Sequence, residues 1–112
     1  MSSEAEFKKK LMKKLKEIEG VWCESINQIA ISGTPDIIGC FRGKLFAIEC
    51  KRDASSRVAD IQEYTLGRIR KAGGLAFIWH PGNYEAMFED FFGGKPREIV
   101  KRGQIRSYRK ED

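Results

Sequence analysis

Proline and histidine are scarce in this chain of 112 residues, which holds three prolines, one histidine and three cysteines. An odd number of cysteines cannot form a fully paired disulfide framework, and the spacing of Cys23, Cys40 and Cys50 does not fit a zinc site. Each lies in an apolar, strand-like stretch, so reduced, buried thiols in a cytoplasmic setting are expected. No apolar run approaches the ~18 residues of a membrane span, and no membrane partner is expected. The opening residues lack the apolar core of a signal peptide. Negative charge is also in deficit. Sixteen acidic residues face 21 lysines and arginines, for a formal net charge of +5. That balance suits a polyanionic partner without identifying one.

What is present suffices for one domain with one modest core. Phe7, Leu11, Leu15 and Ile18 recur at helical spacing and predict a first helix over residues 3–19, with Ser2 or Ser3 as its N-cap. Lys8, Lys9, Lys10, Lys13, Lys14 and Lys16 fill its flanks and outer face. They read as a solvated helix surface or as a phosphate track, the former being the simpler account. Glu4 shares the apolar stripe and Glu6 points away. A strand is expected over residues 21–25, then a loop or irregular strand to Thr34. A second helix is expected over residues 57–72, capped by Ser55 or Ser56. Its buried stripe would be Val58, Ile61, Thr65, Ile69 and Ala72, with Gln62 inside it. Gly73-Gly74 reads as a left-handed helix stop. A buried strand over residues 75–79 should follow, with His80 ending it or serving as a base. A short helix over residues 83–92 would turn Tyr84, Met87, Phe88 and Phe91 inward. The basic stretch over residues 95–112 could track a nucleic-acid backbone or be a mobile end.

The residues richest in chemistry lie between these elements. Asp36 to Phe41 and Lys44 to Lys51 are β-prone, with Arg42-Gly43 as a tight turn between them. A two-residue loop pairs Phe41 with Lys44 and brings Asp36 opposite Glu49 on one face. Opposed residues have Cβ atoms roughly 4.5–5.5 Å apart. Lys51, two residues beyond Glu49, shares that face. A three-residue loop would send Asp36 to the other side. Two opposed carboxylates repel, so a cation must sit between them or one must keep its proton. Mg²⁺ takes such oxygen ligands, often with water and substrate phosphate. Lys51 could orient or deprotonate a water, or offset charge on a phosphate. The plainer alternative is a surface hairpin with an Asp–Lys pair at its end. The apolar flanks Ile37, Ile38, Phe46 and Ile48 favour a hairpin buried on both faces. Gly33 serves either a turn or the close approach of a phosphate. Gln62 needs a partner if it faces inward, because an unpaired buried amide costs roughly 1–3 kcal/mol.

Pro35-Asp36 followed by Glu49-x-Lys51 resembles the PD-(D/E)xK nuclease signature. The longer order Gly33-Thr34-Pro35-Asp36, Glu49-Cys50-Lys51, Gln62 and Ala72-Gly73-Gly74 is similar to the virus-type replication-repair nuclease (VRR-NUC) family, relatives of Holliday junction resolvases. The likeness runs over roughly residues 3–80. It implies an α/β restriction-endonuclease-like fold, a mixed central sheet flanked by helices. It also implies metal-dependent hydrolysis of DNA phosphodiester bonds, in branched DNA such as Holliday junctions or flaps.

On that basis Asp36 and Glu49 bind Mg²⁺ or Mn²⁺, and the Cys50 backbone carbonyl adds a ligand. Glu4, in a Glu4-Ala5-Glu6-Phe7 opening like that of related resolvases, completes the site or helps hold a second ion. Lys51 orients the attacking water and Gln62 assists. Arg42, Lys44, Arg52 and Arg57 are candidates for phosphate contacts. The implied assembly is a homodimer that reads DNA shape. The competing reading is a non-catalytic DNA-binding module of a phage or repair complex, with the same basic surface.

Overall fold

The computed structural model describes residues 3–26 and 33–93. The basic stretch at 95–112 and most of the loop before Thr34 lie outside these residues.

The described elements run α1 (Glu4–Lys16), β1 (Val21–Ser25), β2 (Ile37–Phe41), β3 (Lys44–Cys50), α2 (Asp60–Lys71), β4 (Leu75–Trp79) and α3 (Tyr84–Phe92). The sheet order is β1-β2-β3-β4, with β1–β2 and β2–β3 antiparallel and β3–β4 parallel. This is the expected α/β class with a mixed sheet and flanking helices. The helix α2 carries the chain from β3 back to β4, as a parallel pair requires.

Helix α1 starts with a complete capping box. Ser3 Oγ accepts from the Glu6 N–H, and Glu6 Oε1 accepts from the Ser3 N–H, each at 3.1 Å. Phe7, Leu11 and Leu15 are buried against the sheet, as their spacing predicts. Helix α2 differs from expectation at its start. Ser55 and Ser56 do not cap it, because both close a tight turn around Asp53. The Ser55 N–H and Oγ donate to Asp53 Oδ1, and the Asp53 N–H donates to Ser56 Oγ. The helix therefore opens later, at Asp60. It ends as foreseen. The Gly74 N–H reaches the Ile69 carbonyl, the Gly73 N–H reaches that of Arg70, and Gly73 adopts φ 102°.

The sheet has two unlike faces. Helices α1 and α3 cover one, over a core that includes Phe7, Leu11, Leu15, Ile37, Phe41, Phe46, Ile48, Trp79, Tyr84, Phe88 and Phe92. The aromatic rings there meet mostly edge-on or tilted, with centroids 4.5–6.3 Å apart. Helix α2 covers the other face with a small cluster of Ala47, Leu66 and Ala76. That helix lies over β3 and β4 and leaves part of the face bare. Cys40 is consequently exposed rather than buried, and Trp22 and Leu45 beside it are exposed as well. The hairpin is thus buried on both faces only from Phe46 to Cys50 of β3.

The inward stripe of α2 is Gln62, Leu66 and Ile69. Ile61 and Ala72, expected inside, are exposed, and Leu66 is the fully buried residue of the helix. On α3 the position of Met87 is likewise corrected. Met87 is exposed and Phe92 takes its place in the core, because α3 presents its 84, 88 and 92 positions to the sheet.

Two glycines set opposite expectations for stability. A methyl group on Gly39 would lie 2.5 Å from the Trp22 carbonyl oxygen and 2.4 Å from the Phe46 ring, whereas one on Gly67 meets nothing within 4 Å. Gly39→Ala should therefore lower the unfolding free energy by about 1–3 kcal/mol. Gly67→Ala, in the interior of α2, should raise it by about 0.5–1 kcal/mol. Urea melts of the two variants check both signs.

Candidate active site

The turn Arg42-Gly43 has positive φ at both residues, 55° and 79°, and pairs Phe41 with Lys44. This is the two-residue hairpin turn whose twist suits antiparallel strands. Its even length fixes which way every β3 side chain points. Phe46, Ile48 and Cys50 enter the aromatic core. Ala47, Glu49 and Lys51 face α2.

The ladder pairs Ile37 with Ile48, so one step further Asp36 stands opposite Glu49. Asp36 lies just outside the paired strand. Its Oδ2 accepts the Cys50 N–H at 2.8 Å, filling a rung that the backbone of β2 leaves open. In an extended residue N–H and C=O point to the same edge, so the Cys50 carbonyl turns toward Asp36 too. The Lys51 N–H donates the other way, to the Trp79 carbonyl at 2.9 Å.

Glu49 and Lys51 are 3% and 8% exposed. Burial of that degree requires partners, and both residues have them. Lys51 Nζ lies 3.4 Å from Glu49 Oε2 and donates to Gln62 Oε1 at 3.0 Å. Gln62 Nε2 donates to the same Glu49 oxygen at 2.5 Å. Gln62 Oε1 also accepts the Ala59 N–H at 3.1 Å. That last bond is half of a capping box at the start of α2, where Ala59 has no side-chain oxygen to supply the other half. Both ends of the Gln62 amide are therefore engaged, and its orientation is determined by chemistry.

Burial pushes the Glu49 carboxyl up to about 7, and the negative charge of Asp36 adds to the rise. Lys51 opposes it, and Glu4 contributes a further upward push. The Cys50 thiol is driven well above its usual range by burial and by Asp36 and Glu49, which makes it an inert core group.

Glu4 is exposed, in the first turn of α1, and reaches the site through its charge. Among the described residues no three His, Cys, Asp or Glu side chains gather as a metal-holding group. Glu4 is thus not brought together with Asp36 and Glu49 as a third ligand. The residues present still suit a hard divalent cation. Such ions use one or two carboxylates and complete their shell with water and phosphate. Each carboxylate here commits one oxygen to hydrogen bonds and keeps a second. Burial and the Asp36 charge raise Glu49 in spite of Lys51, so a cation beside the two carboxylates would be favourable.

The basic candidates divide. Arg52 and Arg57 are exposed, one and six residues beyond Lys51, and Arg52 pairs with Asp53 at 3.3 Å. Arg42 and Lys44 sit at the hairpin tip, five residues of strand and roughly 17 Å from Glu49. Arg42 lies over the Phe41 ring and Lys44 Nζ donates to the Gly73 carbonyl. Gly33 packs on α2. A Cβ there would come within 2.8 Å of the Ile61 carbonyl oxygen and Thr65 Oγ1, and φ is +86°. Close approach to a helix, together with a turn, accounts for this glycine. His80 follows β4 one step past the Cys50–Trp79 pair, hence beside Lys51 in register. Its Nδ1 accepts the Gly82 N–H at 3.0 Å.

Two roles were not readable from sequence. One is the bond from Asp36 to the Cys50 N–H, and the other is the tie from Gln62 to the start of α2. The Gln at the third helical position, a capping-box residue, was the available signal for the second.

Comparison of the chain with family models, with curated proteins and with solved structures found no match.

Glu49 sets a pH dependence. Its folded-state value lies above its unfolded one, so folding takes up a proton between about pH 4.5 and 7. The associated stability is present below pH 4.5 and is lost as pH rises through 7. In EDTA, Glu49→Gln should therefore gain stability relative to wild type as pH goes from 5 to 8. The gain has a ceiling on the order of 3 kcal/mol. Chemical denaturation of both proteins at the two pH values measures it, and a constant difference would contradict the raised carboxyl.

Proposed function

We propose that this chain is a metal-dependent, structure-specific DNA endonuclease of the PD-(D/E)xK type, similar to VRR-NUC domains. The observation that carries the reading is the linked set Asp36, Glu49, Lys51 and Gln62 at one end of the β2–β3 hairpin, with Glu49 and Lys51 buried. A carboxylate and an ammonium turned inward at the end of an otherwise apolar strand, with an inward amide on the facing helix, are costly to fold, which supports a chemical role.

Asp36, Glu49 and the Cys50 carbonyl would hold Mg²⁺ or Mn²⁺. When bound, the ion would lower the pKa of a water and polarise a phosphate oxygen. Lys51 is suited to orient that water and to offset charge growing on the phosphate. Gln62 keeps Lys51 Nζ and Glu49 Oε2 in fixed relation, so neither side chain must reorganise as the reaction proceeds. Arg52, exposed and next to Lys51 in the chain, and the exposed Arg57 are suited to phosphate contacts. Branched DNA is the preferred substrate class. A domain of this size has little surface for grasping a four-way junction alone, so the reading includes a homodimer with two sites that cut opposing strands.

Nicking of labelled junctions, flaps and linear duplexes with Mg²⁺ or Mn²⁺ tests this. Glu49→Ala and Lys51→Ala should each lower cleavage about a thousandfold or more while binding persists. Gln62→Ala should lower it about 10–100-fold, as loss of a supporting hydrogen-bond partner does. Binding of DNA with no cleavage under either metal would sink the enzyme and leave the non-catalytic module.

A further inference from the structure

Helix α1 carries six lysines in 13 residues, and the structure sorts them. Lys14 Nζ lies over the Tyr84 and Phe88 rings at 5.8 and 5.0 Å, so its ammonium is directed to α3. Lys8 is half-buried and close enough to Cys50 to act on its thiol. Lys10 is exposed on the flank of α1 toward Tyr84. Lys9, Lys13 and Lys16 are exposed as well, Lys16 close enough to Cys23 to act on its thiol, and none of these three forms an ion pair with a described residue. At 3.6 residues per turn they fall within about 60° of one another, opposite the buried Phe7, Leu11 and Leu15. They make one outward row about 10 Å long.

We infer that the row Lys9, Lys13 and Lys16 is a phosphate-binding surface for an arm of nucleic acid that extends from the candidate active site. The assignment rests on the nuclease reading for the identity of the polyanion. Three observations support it. The first is length. Duplex DNA carries one charge per about 1.7 Å of axis, so the row spans the axial rise of about six phosphates. The second is position. The first turn of α1 lies beside the end of β3, since Phe7 and Cys50 belong to one core cluster, and the row begins two residues beyond Phe7. The third is the absence of an apolar flank. A basic helix that rests on a lipid surface needs an apolar face to bury there. The apolar face of α1 is already in the core, with Phe7, Leu11 and Leu15 at most 4% exposed. Charge without an apolar flank suits phosphates displayed on a rigid duplex better than a bilayer.

Salt dependence gives the test. Each lysine on a phosphate steepens the fall of log K with log salt by about 0.9. Fluorescence anisotropy with a labelled four-way junction and a linear duplex, in EDTA so that no cleavage occurs, yields that slope. Gln at Lys9, Lys13 and Lys16 together should flatten it by about 2.7. Gln at Arg68 and Lys71, exposed cations on α2, should flatten it by less than about 0.3 per charge, far below the 0.9 of a phosphate contact. Equal flattening per charge in both variants would reduce the effect to net charge and overturn the row. An unchanged slope in the α1 variant, no DNA binding by wild type, or binding of the wild type to phosphatidylserine vesicles in preference to DNA would overturn it as well. Nicking by wild type with Mg²⁺ judges the active-site reading separately. Nicking with an unchanged slope rejects the row alone. A row-dependent slope with no nicking rejects the catalytic reading alone.

Discussion

Everything near the end of the β2–β3 hairpin depends on the pairing of Glu49 with Lys51 and Gln62. A carboxylate buried on a strand next to a second carboxylate is unstable by itself. Burial, with the charge of Asp36 added, pushes Glu49 up to about 7 against the opposing pull of Lys51. Gln62 matters because it serves both charges at once, donating to Glu49 and accepting from Lys51. The same amide oxygen accepts the Ala59 N–H. The start of α2 is therefore tied to the charge pair, and neither can shift without the other.

That tie requires α2 to approach the sheet closely, and the unlike faces of the sheet make the approach possible. On the α2 face β3 and β4 present Ala47 and Ala76, small residues that let Leu66 and Ile69 settle near the backbone. On the opposite face the same strands present Phe46, Ile48, Phe77 and Trp79 to a layer of α1 and α3 aromatics. Bulk on the α2 face would lift the helix, and Gln62 would fall short of Glu49. Gly33 makes a parallel contribution. It passes against Ile61 and Thr65 where a methyl group would not fit, which seats the chain just ahead of Pro35 and Asp36.

The strands and the site were legible because their signals are short-range. An Arg-Gly turn with positive φ, strict alternation and an even loop length are enough to place Asp36, Glu49 and Lys51 on one face. Helix α1 was legible for the same reason, with Ser2 or Ser3 as its cap and a regular apolar stripe, whereas the Glu6 half of its capping box was not read. What escaped was decided by tertiary partners. Ser55 and Ser56 have cap chemistry, yet Asp53 recruits both for a turn, so α2 opens at Asp60. Ile61 and Ala72 looked buried on apolar character, whereas the small α2 face has room for Leu66 and Ile69 and little else. Cys40 sits in an apolar strand, but no helix covers that part of the sheet. Phe92 displaced Met87 because the aromatic layer selects the 84, 88 and 92 positions of α3. Spacing alone did not show whether Gly33 served a turn or a phosphate, since both need the same absent Cβ.

The two carboxylates of the candidate site do not carry equal structural weight. Asp36 accepts the Cys50 N–H where β2 supplies no carbonyl, so it closes the last rung between two strands. Its removal opens a backbone hydrogen bond at the edge of the core, which costs about 1–3 kcal/mol whatever the chemistry of the site. Asn at that position would keep an acceptor for the rung and lose only the charge. The Glu49 carboxylate accepts from Gln62 and pairs with Lys51, and no described backbone N–H bonds to it. Replacing it with Gln relieves repulsion toward Asp36 while retaining an oxygen for Gln62. A loss of function in Glu49→Gln is therefore diagnostic of chemistry, a loss at Lys51 only where the fold survives the unpaired Glu49, and a loss at Asp36 only where Asn reproduces it. That difference follows from one residue of register. Asp36 lies just past the ladder, where a side chain must do the work of a backbone, and Glu49 lies just inside it.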